Sequence, residues 1–203
     1  ENIKDRKIVM LGESTHGTQE FYAFRRWLTK ELVEKHGFSF IAVEGDWPAC
    51  AEVDEYVRSK EKLDHSFEVL KSFRRWPTWM WANNEVAKLV QWMKEFNAGK
   101  SFKSQIGFYG LDVYSFFDSM SEVLHSLKDI NSEHTQELKS YYACLDRFNG
   151  NEKLYARSLH QAPEGCSKEV AEALRLVLRM KLQRGQSHKL FDLQQNARIV
   201  KNA

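Results

Sequence analysis

The chain has 203 residues, with 30 Lys+Arg against 28 Asp+Glu and a formal net charge of +2. That length is one large domain or a piece of something larger, and it is enough chain to bury a sizeable core. The balanced charge, without a basic stripe interleaved with aromatics, argues against nucleic acid, and no apolar run reaches membrane-spanning length.

The first organised stretch is Lys7 to Glu20, KIVMLGESTHGTQE. Ile8, Val9, Met10 and Leu11 are long enough for a buried strand and too short for a helix. Gly12 breaks the run, six small or polar residues follow, and an amphipathic pattern begins. A strand, a glycine turn and a helix is the layout in which α/β proteins bind ligands, beyond the carboxyl ends of the strands. Glu13 and His16 lie three residues apart in that turn, where a carboxylate and an imidazole can approach one substrate together. The bland alternative is that they only cap the helix and satisfy the turn.

Thr18 is expected to cap the first helix, with Glu20 in its first turn. Phe21, Phe24, Leu28 and Leu32 mark an inward stripe, and Gly37 ends the helix. Arg25 falls within that stripe. A guanidinium there either meets a carboxylate or a developing negative charge in the site, or snorkels to the helix edge.

Phe38 to Glu44 reads as the second strand, with acid and glycine again at its end in Glu44-Gly45-Asp46. Pro48 suits a first helical turn, and a helix is expected to run to Arg58. His65 to Phe73 reads as a short helix. The block Arg74 to Trp81 is aromatic and broken by Pro77. Thr78 is expected to cap a long helix ending near Gly99. Gln105 to Leu111 reads as the third strand, followed by Asp112.

Strands alternating with helices imply crossovers and a mainly parallel sheet. Glu13, Glu44 and Asp112 would then converge on one rim beside His16, although acids at strand ends also cap helices. From Ser115 onward the pattern is helical: Phe116–Leu127, Glu133–Phe148, Ser167–Leu182 and Leu190–Ala203. Turns fall at Asn149–Asn151 and Ala162–Gly165. The expected class is therefore α/β, a mainly parallel β-sheet with helical crossovers and a helical C-terminal region. It forms a single domain or the N-terminal part of a larger one, with a strand-helix core over about 5–115 and a helical region over about 116–203.

Cys50, Cys144 and Cys166 are odd in number and widely spaced. That argues against a disulfide framework and fits a reducing, cytoplasmic setting. No CxxC motif points to a thiolate zinc site. His36, His65, His125, His134, His160 and His188 carry no evident role.

The blocks LGESTHGTQEFY, GFSFIAVEGDWP, FRRWPTWMW, GFYGLDVYS and QQNARIVKNA run in order from one end to the other. With them, this chain resembles the erythromycin esterase family. The resemblance implies hydrolysis of an ester without a required metal, in the namesakes the lactone of a macrolide antibiotic, an antibiotic-resistance activity. The family's catalytic His matches His16, its supporting acids match Glu13 and Glu44, and a functional Arg of the first helix matches Arg25. Ser14 stands where many members have Ala. A second functional His of the family has no counterpart here. The chain begins without Met and stops at Lys201-Asn202-Ala203 inside a helical pattern. We therefore expect a partial enzyme with little activity on its own.

No Gly-x-Ser-x-Gly elbow is present, so the expected nucleophile is water activated by His16. Glu13 or Glu44 would orient the ring and stabilise the imidazolium. Arg25 would face the tetrahedral oxyanion. Asp112, Trp47 and Trp79 are the candidate substrate contacts. The expected partner is a small-molecule ester or lactone, with no cofactor, nucleic acid or membrane, and the oligomeric state is left open. Two other classes stand beside this one. Glu13, His16, Glu44 and Asp112 could hold a divalent cation for hydrolysis. Alternatively, the domain binds a small molecule without turning it over.

Overall fold

A computed structural model of the chain describes residues 3, 5–59, 66–130, 133–180 and 187–203. The chain divides into two compact units, residues 1–45 with 49–111, and residues 46–48 with 112–203.

The first unit holds helix α1 (Gln19–His36), strand β1 (Phe40–Asp46), most of α2 (Trp47–Arg58), the short α3 (Ser66–Val69), α4 (Asn84–Asn97) and strand β2 (Gly107–Asp112). β1 and β2 form a two-stranded parallel sheet, the arrangement expected when helices cover the connection between strands. Val43, Val53, Val57, Val90, Met93 and Phe108 form much of its core. Pro48 takes the early helical position where its missing N–H costs nothing. Gly37 adopts φ 70° and closes α1. Its N–H reaches the Val33 carbonyl and that of Phe38 reaches the Leu32 carbonyl, each at 3.3 Å, which satisfies two end carbonyls.

Two buried polar side chains join the sheet to the helices. Asn97 donates to the Val57 and Ile106 carbonyls at 3.0 and 2.9 Å and accepts from the Ile106 N–H at 2.8 Å. Asp54 accepts from the Phe108 N–H and from Arg58 Nε, both at 2.8 Å. A Cβ at Gly107 would lie 2.4 Å from Arg58 Nη2 and 2.8 Å from the Tyr109 hydroxyl, so a larger residue there would force those side-chain ends to move.

The second unit is helical: α5 (Phe116–Ile130), α6 (Glu133–Tyr142), α7 (Glu152–Ser158), α8 (Ser167–Arg179) and α9 (Ser187–Asn202). α9 packs on α5 and α8, and α6 packs on α8. Val123, Leu127, Leu138, Leu145, Val177 and Leu193 are completely buried between them. Among the described residues no helix is long and apolar enough to cross a membrane.

Several expectations are corrected. Ile8 to Leu11 forms no strand; Ile8 and Met10 are 77% and 90% exposed. An apolar run signals burial, but a strand also needs a hydrogen-bonding neighbour, and no described segment supplies one. Thr18 occupies the cap position of α1 without a side-chain bond. Asn83, not Thr78, caps α4, accepting from the Val86 N–H at 3.0 Å, and Thr78 lies in a separate 3₁₀ turn. Leu32 is buried as expected, but Phe24 is 58% exposed beside Trp27 and Tyr22 and Val33 are buried, so the inward face of α1 is only partly the expected stripe.

α7 was not foreseen. It starts at Asn151, whose side chain accepts from the Leu154 N–H at 3.0 Å. Residues 143–148 tighten into a 3₁₀ helix rather than continuing α6. Of the expected helix His65–Phe73, residue 65 lies outside the described residues, as do 181 and 182 of the expected helix Ser167–Leu182. One part of the cysteine expectation is corrected: Cys144 and Cys166 form a disulfide across 22 residues, with Cα atoms 6.1 Å apart, and buried Cys50 lies outside that bridge. That pairing depends on spatial separation, which cysteine spacing alone does not show.

Candidate active site

Glu13 and His16 stand in the turn before α1, and Arg25 projects from the second turn of that helix. Nine residues from His16 to Arg25 are enough for the chain to turn and wind back past the acid. His16 Nδ1 lies 2.5 Å from Glu13 Oε1, and Arg25 Nη2 lies 3.0 Å from Glu13 Oε2. Arg25 Nη2 also donates to the Leu11 carbonyl at 3.4 Å. The Glu13 side chain is 9% exposed, whereas the His16 side chain is 40% exposed. The arrangement is therefore a buried carboxylate held by a guanidinium, with an accessible imidazole on its other oxygen.

Tyr22 extends the cluster. It is 6% exposed, its ring stands edge-on to Trp81 at 6.4 Å, and Arg25 lies 5.9 Å from the ring centroid. Burial pushes its phenol up to about 12, helped by the charges of Glu13 and Glu44 and opposed by Arg25. Glu44 is exposed on β1 and thus lies within electrostatic reach of Tyr22. Its backbone carbonyl accepts from Trp81 Nε1 at 2.7 Å.

His16, Thr18, Tyr22, Trp79, Asn83 and Glu85 are among the walls of a pocket of about 250 Å³ in this unit. Trp79 is 45% exposed there. Glu85 is held by Arg26 Nε at 2.9 Å and Lys88 Nζ at 2.6 Å, so its charge is answered locally.

The contacts thus join Glu13, His16 and Arg25 and put Trp79 on the same pocket as His16, while Glu44 acts on Tyr22 only through its charge. Trp47 and Asp112 belong to the second unit. Trp47 is 8% exposed with its ring edge-on to Phe191 at 5.6 Å, a packing contact. Asp112 is the last residue of β2 and half-buried. Among the described residues no group of three or more His, Cys, Asp or Glu is placed to hold a metal ion. Sequence reasoning missed Tyr22 and Asn83. Tyr22 sits three residues before Arg25, on the same helical face, and that spacing was the available signal.

The profile of the erythromycin esterase family matches residues 33–203. The chain belongs to the erythromycin esterase family. The matched span contains Glu44, Trp47, Trp79 and Asp112, while Glu13, His16 and Arg25 precede it. The erythromycin esterase type II of Escherichia coli is 26% identical over 164 residues, covering 79% of this chain and 36% of that protein. A solved succinoglycan biosynthesis protein superposes with a TM-score of 0.72 at 23% identity, over 94% of this chain and 45% of the other. A Bacillus cereus protein gives 0.71 at 22% identity over the same shares. These two likenesses are of fold. The chain spans less than half the length of each of these three proteins.

Proposed function

We propose that this erythromycin esterase-family protein hydrolyses an ester, a macrolactone being one candidate, by water activated at His16. The observation that carries the reading is the 2.5 Å contact between His16 Nδ1 and Glu13 Oε1. A carboxylate on Nδ1 holds the proton there and leaves Nε2 as the basic nitrogen. Nε2 takes a proton from water as the water oxygen bonds to the ester carbonyl carbon. The tetrahedral intermediate then expels the alcohol, which receives that proton from His16. Glu13 stabilises the imidazolium between the two steps. Arg25 is assigned to holding Glu13, because its Nη2 is engaged there, in place of the oxyanion role suggested by the sequence. Glu44 adds a second negative charge on the Tyr22 side, and Trp79 offers an apolar wall for the acyl or alcohol part.

The test is a panel of esters and lactones on this chain within a protein of the length of its relatives. His16→Ala should lose roughly two to four decades in turnover with the circular dichroism unchanged. Turnover within a few-fold of the parent would remove His16 from the mechanism.

A further inference from the structure

Tyr22 carries a hydroxyl that is shut off from solvent and makes no hydrogen bond. Glu13 Oε2 is equally shut off, and it receives no aligned hydrogen bond although Arg25 Nη2 stands 3.0 Å away. A buried donor without an acceptor and a buried acceptor without an aligned donor are each uncommon in folded proteins. Here both occur in one cluster of one unit. The charge of Glu13 is also the foremost among those that act on the Tyr22 phenol.

We propose that Tyr22 is a positioning residue for His16, its hydroxyl donating to Glu13 Oε2 and, with Arg25, fixing the carboxylate that orients the imidazole. The terminal torsion of a glutamate is broad, so the carboxylate can turn toward the phenol while keeping one oxygen on the imidazole. The raised phenol keeps its proton at neutral pH and is always available as a donor. The charged groups facing Tyr22 are Glu13, Arg25 and Glu44. Of these, Arg25 can only donate, and Glu44 is exposed to water, so Glu13 is the acceptor with most to gain. A phenol bond on Oε2 draws charge away from Oε1. It thereby limits how strongly Glu13 pulls on the Nδ1 proton, and it stops the carboxylate from rotating out of line.

The kinetic arm rests on the esterase reading above; the spectroscopic arm does not. The variants are Tyr22→Phe, Glu13→Gln and the double variant, in the protein of full family length, with p-nitrophenyl acetate as probe. Tyr22→Phe should lower kcat about tenfold with KM within about threefold, and should add little in the Glu13→Gln background. By proton NMR, the His16 Nδ1–H resonance should move downfield in Tyr22→Phe, as the bond to Glu13 strengthens. That movement should vanish when Glu13 is already Gln. Multiplicative kinetic losses, or an Nδ1–H resonance unmoved by Tyr22→Phe, would overturn the role of Tyr22. Full turnover by His16→Ala together with a moved resonance would overturn the esterase reading and leave Tyr22 acting on His16 through Glu13.

Discussion

Glu13 is contacted by Arg25 on one oxygen and by His16 on the other, and the two partners differ in what they contribute. The Glu13 carboxylate is nearly buried and the Arg25 side chain is 21% exposed. Removing Arg25 leaves a desolvated charge with less to answer it. Arg25→Ala should cost about 2–3 kcal/mol in urea unfolding, below the full penalty for breaking a buried pair because the guanidinium is partly hydrated. Glu13→Gln keeps the shape but loses the charge that would stabilise an imidazolium, and a Gln amide can present its donor to Nδ1. We expect a loss of roughly a hundredfold or more in ester turnover with a much smaller change in KM. A Glu13→Gln protein with parental kcat would show that the contact only builds the turn.

At the scale of elements, α4 is tied at both ends, and each tie is a separate prediction. Asn83 caps its start and also donates to the Trp79 and Met80 carbonyls at 3.2 and 3.1 Å, so the cap holds the loop that carries Trp79. Asn83→Ala should cost about 1–2 kcal/mol by denaturant titration, and should loosen Trp79, seen as a change in tryptophan emission. Asn97 ends the helix with three buried bonds, two to Ile106 just before β2 and one to Val57 of α2. Asn97→Ala would strand the Ile106 N–H and two carbonyls, a loss of about 3 kcal/mol.

Between α1 and α4, Glu85 is gripped by Arg26 and Lys88. Its carboxyl is held below the ordinary 4.5, first by the Lys88 hydrogen bond and then by Arg26, against the opposing effect of burial. A carboxyl with a depressed folded-state pKa contributes stability above its unfolded pKa and loses it as pH falls through the folded one. Parent and Glu85→Gln should therefore differ in unfolding midpoint at neutral pH, and the gap should narrow as pH falls from 4.5 through the lower folded-state value. A gap that is constant with pH would show that the grip on Glu85 is not electrostatic.

For the molecule as a whole, the disulfide is the covalent element. The Cys144–Cys166 bridge lies within the helical unit and closes a loop of 22 residues. Constraint of the unfolded chain over such a loop stabilises by about 3 kcal/mol. Dithiothreitol should lower the thermal midpoint of the oxidised protein, and Cys144→Ser should remove that response. Thiol titration in denaturant without reductant should find Cys50 alone. Three titrating thiols would show the pair to be reduced.

The sequence by itself determined the family, through motif blocks spread along the chain, and it determined most of the helices. The period of Val86, Leu89, Val90 and Met93 is local information, and so are Pro48 at a helix start and Gly37 at a helix end. Glu13, His16 and Arg25 could be nominated from one short stretch because a turn and two helical turns bring them within reach of each other. Tertiary structure decided what depends on partners distant in sequence. Ile8–Leu11 looks like a strand, yet strand pairing is a property of two segments and not of one. Thr18 and Thr78 have the chemistry of caps, but a cap also needs its oxygen aimed at a free N–H, and at α4 that geometry fell to Asn83. Tyr22 reads as one aromatic among many until the fold seals its hydroxyl from solvent. Cys144 and Cys166 read as unrelated until the helical unit brings their Cα atoms to 6.1 Å. Local periodicity sets which residues turn inward along an element; only packing sets which inward groups meet, and the chemistry proposed here begins with that meeting.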